Sequence, residues 1–527
     1  MKTGSNKINP AAADTVIGLK SWKEYQKIIF RISFIFFTAM CIPLTSDWYA
    51  HVIRIDWTNL HCRDLYDIAR FSTPSFIKVS GPARYGFTGY LNWLILLSLA
   101  TAGGFIWTFA DSKLKNPAKE YNRLYYWLRV IVRYRAALGI IGFSFEKIFP
   151  TQMPYPSLAH LTTNFGDFSG HKIYWLSIGS SPWYQVFGGF VELVPGLLLL
   201  FRKTTTLGAA LLTGALTTIA IANLGYDGGV HIYASYFTLL GLFLLWRDIP
   251  QIWNLLILEK ETTPRMDYPA FSKFQSYSSR GVKIAFGIYI AAFSYLQYLN
   301  FRFDPYKQVS TKGITELRGN YEVSEFKINN SILPYNPLDS VRWQDVTLES
   351  WTSLTFKINK PLKAELSNSG GGQSSSGTGH SSVDLEKNFE GAGVAGGRRI
   401  FHYYADTISK TLYLLDKNIT AARKKSEGAK DVYPEDWISE EAWKNIGNDE
   451  LKINKRALST RRSRDFAKVN KDLIRDKMVL KYETTDGGKT VTFRGSNENK
   501  DSIFVVLNRV NRQYALSPPS LISGSYE

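Results

Sequence analysis

Apolar stretches of near-spanning length are confined to the first 300 of 527 residues, and they constrain the fold more than any other feature. A bilayer core of about 30 Å takes roughly 20 apolar residues as helix. Seven segments approach that length: Tyr25–Leu44, Gly89–Ala110, Tyr126–Phe149, Trp183–Phe201, Thr205–Leu224, Gly228–Trp246 and Gly281–Leu299. Short pieces such as Leu197–Phe201 could be buried strands, but each continues a longer apolar run, so the helical reading wins. The expected fold class is an α-helical membrane bundle of about seven transmembrane helices followed by a C-terminal all-β sandwich or barrel-like domain. The first apolar run follows a polar stretch with five lysines and has no small-residue cleavage site after it. It therefore reads as a retained span and not as a signal peptide.

Charge orients the bundle. Lys and Arg favour the cytoplasmic side, and short loops weigh most. Sixteen lie in the N-terminal tail and in the loops after the second, fourth and sixth segments; six lie in the other three loops. The N-terminus is expected to be cytoplasmic, and an odd number of spans puts residues 301–527 outside, in the organisation of a bacterial inner-membrane protein. Trp48, Trp93, Trp107, Trp127, Trp175, Trp183 and Trp246 fall at or near segment ends, where an amphipathic ring suits the membrane interface. Pro250–Leu258 reads as an interfacial helix. The net charge of +18 is explained by this sidedness, and no nucleic-acid partner is expected.

The expected organisation is a cytoplasmic tail (1–24), a helical domain (25–300) and an extracytoplasmic β domain (301–527). In the last, Tyr321–Ile328, Leu354–Ile358, Ile400–Tyr404, Thr411–Leu415, Met478–Tyr482, Thr490–Arg494 and Ile503–Leu507 read as strands, with Asp486-Gly487-Gly488 as a hairpin turn. Two insertions are expected to be mobile: Ser/Gly-rich 367–397 and basic 421–476, the latter carrying Arg461-Arg462-Ser463-Arg464.

Ionisable groups in a span are costly and point to function. Glu192 sits mid-segment among Gly188, Gly189, Pro195 and Gly196, and Arg135 is its expected partner for a ligand-binding pocket. The plainer alternatives are a packing carboxyl and an arginine reaching for the interface. Asp227 and His231, four apart, are expected to share a helix face and to join the ligand site. Glu146 and Lys147 are weak catalytic candidates or simple interfacial anchors. His160 and His171 are weak metal candidates, since their spacing matches no ligand motif. Two cysteines, Cys41 and Cys62, exclude a disulfide scaffold; they could pair, or Cys41 could be a buried apolar residue.

Residues 129–250 resemble the DoxX family of bacterial membrane proteins. The segments that carry the likeness are Arg135-Ala-Ala-Leu138-Gly139-Ile-Ile-Gly142-Phe-Ser-Phe-Glu146-Lys147, Gly188-Gly189-Phe-Val-Glu192-Leu-Val-Pro-Gly196-Leu-Leu-Leu-Leu200 and Thr206-Leu207-Gly208-Ala209. The Gly142-to-Lys147 spacing and the outer loop are longer than the family pattern. The whole chain resembles a longer type with extra spans and an appended β domain that begins near Leu317–Val323 and Ser340–Trp343. Relatives in that family include a subunit of thiosulfate:quinone oxidoreductase, and the bundle is distantly similar to that of the vitamin K-dependent carboxylase. The resemblance implies a quinone or other lipophilic molecule as ligand and a redox-linked role. A carboxylase-like use of Lys147 is a weaker implication. The reading from another class is a non-catalytic anchor or assembly subunit whose β domain docks a partner protein.

Overall fold

The computed structural model describes residues 22–71, 73–77, 79, 86–114, 120–263, 272–304, 307–362, 364–365, 384–418, 422–424, 431–446, 473–516, 519 and 521–522. Most of the tail at 1–24, His380, residues 367–383 and the Arg461–Arg464 run lie outside them. The chain divides into two compact units, residues 1–53, 67–143 and 191–292 in one, and 54–66, 144–190 and 293–527 in the other.

Among the described residues, twelve α-helices precede the β domain: α1 (Glu24–Cys41), α2 (Ser46–Arg54), α3 (Cys62–Ala69), α4 (Leu91–Ser112), α5 (Asn122–Ile148), α6 (Leu158–Leu161), α7 (Gly170–Gly179), α8 (Pro182–Leu199), α9 (Thr205–Gly225), α10 (His231–Leu245), α11 (Ile249–Leu256) and α12 (Lys273–Phe303). All seven expected segments are helical. Among the described residues, three stretches, 87–112, 202–225 and 273–303, are long and apolar enough to cross a membrane, and up to five if the bent pairs α1/α2 and α10/α11 each count as one span. α5 falls short because Arg129, Arg133, Arg135, Glu146 and Lys147 interrupt it. The expected interfacial helix is α11, set off from α10 by a 78° bend.

Small residues set the helix spacing. A Cβ on Gly104 of α4 would come within 2.5 Å of Ile32 of α1, and one on Gly241 of α10 within 2.3 Å of Thr213 of α9. Without a water-driven hydrophobic force between lipid-bathed helices, such close backbone approach and interhelical polar bonds hold a bundle together. The α1/α4 pair has both: Arg31 donates to Asp111 at 2.5 Å and to Thr108 at 2.8 Å, and also to Tyr121 before α5 at 2.9 Å.

The second unit contains a closed barrel. Its strands are β1 (Gly319–Ile328), β2 (Ser331–Ile332), β3 (Asp345–Leu348), β4 (Ser353–Lys357), β5 (Arg398–Asp406), β6 (Thr411–Asp416), β7 (Arg423–Lys424), β8 (Leu473–Ile474), β9 (Lys477–Thr485), β10 (Thr490–Ser496) and β11 (Ser502–Val510). Eight run antiparallel in the order β1-β3-β4-β5-β6-β9-β10-β11, and β11 pairs back to β1. β2 folds onto β1, and β7 pairs with β8 apart from the barrel. Closure removes the sheet edges, and eight strands leave an interior just wide enough for side chains to fill. Trp343, Phe356 and Phe401 stack through it with ring centres 4.0 and 5.5 Å apart, among Tyr321, Leu414, Leu480, Phe493 and Val505. The β9–β10 hairpin turns at Asp486, Gly487 and Gly488, all at positive φ.

Two expectations are corrected. Within 367–397, residues 384–397 are not a mobile insertion. Asp384, Lys387, Phe389 and Glu390 are almost wholly buried, and Asp384 accepts the Ser310 and Thr311 backbone N–H groups at 2.8 and 3.0 Å. The glycines that suggested mobility serve a turn: Gly396 and Gly397 take positive φ just before β5. Within 421–476, β7, β8 and a short α13 (Glu440–Ile446) with buried Ala442 are ordered.

Candidate functional site

In the helical unit, Glu192 is 2% exposed. It lies on the α8 face that also carries Gly189 and Gly196. A Cβ on Gly196 would meet Ile140 and Ile141 of α5 within 2.9 Å, so this is a close-packed face. Arg135 is buried as well. Its Nη1 donates to Ala69 O at 3.0 Å and its Nη2 to Tyr233 Oη at 3.3 Å, with Phe71 O at 3.5 Å. The guanidinium lies 3.9 Å from the Phe71 ring centre and 5.2 Å from that of Tyr236. Arg135 thus ties the chain after α3 to α5 and α10. A Cβ on Gly139 would reach 2.6 Å from its Nη1 and 2.5 Å from Phe237, which leaves no room beside it.

Asp227 and His231 do not share a helix face. α10 starts at His231, while Asp227 stands in the preceding turn with φ 51° and is exposed. The two glycines after it let the chain turn before the helix begins. His231 is buried against the Tyr90 ring, with Nε2 3.2 Å from Gly86 O. Both cysteines are buried and do not pair as a disulfide.

The other candidates fall in the second unit: Glu146, His160 and His171 are buried there, and Lys147 is half-buried. Glu146 pairs with Arg63 at 3.1 Å. His160 closes the cap of α6: its Nδ1 accepts the Ser157 backbone N–H at 3.1 Å, and burial pushes its pKa well down. His171 leans on Trp175 with ring centres 4.7 Å apart, and burial, then Lys307 and Lys172, lower its pKa to about 4. Among the described residues, no group of three or more His, Cys, Asp or Glu is arranged to hold a metal ion.

Around these lie groups that sequence reasoning missed. Lys172 is wholly buried, donates to Phe389 O, and is lowered to about 7, mainly by burial. Lys307, also buried, is lowered to about 7 for the same reason, against the opposing pull of Glu146. Burial raises Glu349 to about 7, although it accepts the Ala159 N–H at 2.8 Å at the start of α6. Glu390 pairs with Lys417 at 3.1 Å, both fully buried. Such perturbed groups gather at functional sites but equally in structural ion-pair networks. Here most of them bond backbone or one another, as a structural network does.

A surface feature is more suggestive. The loop from β2 to β3 exposes Ile332, Tyr335, Leu338 and Val341, with Leu338 76% and Tyr335 68% accessible. Its backbone is nevertheless braced. Buried Arg342 donates to Val323 O at 2.9 Å, Leu333 O at 3.1 Å and Trp343 O at 2.9 Å. Asp339 Oδ1 accepts the Val341 and Arg342 N–H groups, and Gln344 and Asn359 donate to Pro337 O and Leu338 O.

No family model matches the chain. It is 34% identical over 79 residues to an uncharacterized protein, YwoB, of Bacillus subtilis (strain 168). That match covers 15% of this chain and 51% of the relative, so the chain spans about half the length of the curated protein it resembles. No solved structure matches.

Proposed function

We propose that the chain is a seven-span protein of the bacterial inner membrane, with a cytoplasmic N-terminus, which serves as an anchor or assembly subunit and docks a protein partner through the extracytoplasmic barrel. The observation that carries this reading is the β2–β3 loop. Isolated exposed apolar side chains are ordinary. Four within ten residues, on a backbone that buried Arg342 holds at Leu333 O and Trp343 O and ties to Val323 O of β1, offer apolar area whose ordering cost is met before binding. The test is a photo-crosslinking residue at Leu338 in cells, with one at exposed Ser409 as control. A discrete protein adduct at Leu338 only, lost when Tyr335→Asp is added, supports docking. Equal labelling at both positions, or none, refutes it.

A second reading keeps the ligand implied by the DoxX resemblance: a quinone or other lipophilic molecule held near Glu192. It is favoured by a carboxyl 2% exposed in a mostly apolar helix, since an ionisable group inside a span points to function. Against it stand the close packing at Gly139 and Gly196 and the engagement of Arg135 by backbone. Mass spectrometry of lipids co-purified with the wild type and Glu192→Gln separates the two. A quinone present in the first and absent from the second would favour this reading.

A further inference from the structure

We propose that the cavity of about 530 Å³ where α5, α10, α11 and the α8–α9 turn meet is a binding site for a phosphate-bearing anion. Among the described residues its lining holds five cationic side chains, Arg129, Arg133, Arg202, Lys203 and Arg247, and one acid, Asp248. The acid is already engaged: it lies 3.6 Å from Arg129 and accepts from Thr206 Oγ1 at 2.7 Å. Among the described lining residues the cations thus outnumber the acids by four around one ligand-sized space.

Sidedness alone would put basic residues at this end of the bundle, but such residues extend into water. Arg133 does not. It is 7% exposed and its Nε has no hydrogen-bond partner; its guanidinium reaches Thr205 Oγ1 at 3.5 Å and lies 5.0 Å from the Tyr134 ring centre, and neither neighbour is an anion. A buried guanidinium without an anion is costly, and its planar fork of donors matches a phosphoryl group in geometry and charge. Thr205 also begins α9, which a 3-10 turn at Arg202–Thr204 leads into, with the Thr205 N–H bonded to Arg202 O. The positive end of the helix dipole adds to the same field. Leu244, Ile252 and Leu255 line the apolar side, which suits an anion attached to a hydrocarbon tail.

A lipid headgroup and a free phosphate share this chemistry, and the experiment separates them. The full chain, purified in a neutral detergent, is titrated with dioleoylphosphatidylglycerol, with dioleoylphosphatidylcholine, and with inorganic phosphate against sodium chloride at equal ionic strength. Thermal shift and native mass spectrometry are the readouts. The site predicts saturable binding of phosphatidylglycerol or of phosphate, weakened about tenfold by Arg133→Gln. Phosphatidylglycerol alone identifies a headgroup site, and phosphate alone identifies a soluble ligand. Should Arg133→Gln fail to fold, Lys203→Gln, at an exposed position, carries the test with about a threefold loss. Binding no tighter than that of phosphatidylcholine and chloride, or unchanged in the folded variants, overturns the proposal.

Discussion

The ammonium of Lys307 lies 4.6 Å from the centre of the Trp175 ring, and both side chains are buried. With Lys172 also held near 7, this part of the chain keeps two lysines about three units below their unfolded value of roughly 10.4. Between about pH 7 and 10 the unfolded chain binds more protons than the native one, so stability rises with pH there. Below pH 7 this contribution is flat. His171, near 4, and His160, pushed well down, each add stability as pH rises to about 6.5, while Glu349, near 7, loses it from about 4.3 upward and offsets one of them. The thermal unfolding temperature should therefore rise modestly from pH 5 to about 6.5 and climb more steeply from 7 to 10. Lys172→Met should roughly halve that climb; an unchanged slope would remove the assignment.

Arg135 should prove structural. Replacing it with Leu strands the Ala69 and Phe71 carbonyls, for a loss of roughly 2–4 kcal/mol. Gly139→Ala should cost roughly 1–3 kcal/mol by overpacking against Phe237. Unfolding in detergent checks both. Full stability with loss of a co-purified lipid would instead make Arg135 a ligand residue.

Asp384 should be indispensable to the barrel unit. It bonds two backbone N–H groups and lies 3.4 Å from the Lys387 ammonium, with neither side chain accessible. Asp384→Ala should cost roughly 3–5 kcal/mol, as removal of one member of a buried pair does. Proteolysis of the released β domain reads this out.

The braced loop should be dispensable for folding. Leu338→Ser is expected to change stability by no more than about 0.5 kcal/mol because nothing covers that side chain. It should abolish partner binding while near-ultraviolet circular dichroism stays the same.

What was legible followed from periodicity and length. Seven apolar segments became helices and seven alternating runs became strands, because burying one face requires those patterns. β3 was missed because four residues, Asp345–Leu348, are too short to alternate visibly. Phe389 and Asp384 were missed because their burial depends on contacts far away in sequence, and Ser/Gly-rich neighbours masked them. Arg31 carried a usable signal, an arginine inside an apolar run, though its partner Asp111 lies 80 residues on. The cationic cavity was read only as sidedness. Sequence counts charges per loop, whereas the excess over Asp248 around one space is a property of the folded helices.

The most direct measurement is topology. Fusions of alkaline phosphatase and a fluorescent protein after Asn116, Arg265, Asn300 and Glu527 report which compartment each position occupies. The account predicts cytoplasmic signals at Asn116 and Arg265, and extracytoplasmic signals at Asn300 and Glu527. A cytoplasmic signal at Glu527 would contradict the seven-span arrangement and the extracytoplasmic docking built on it.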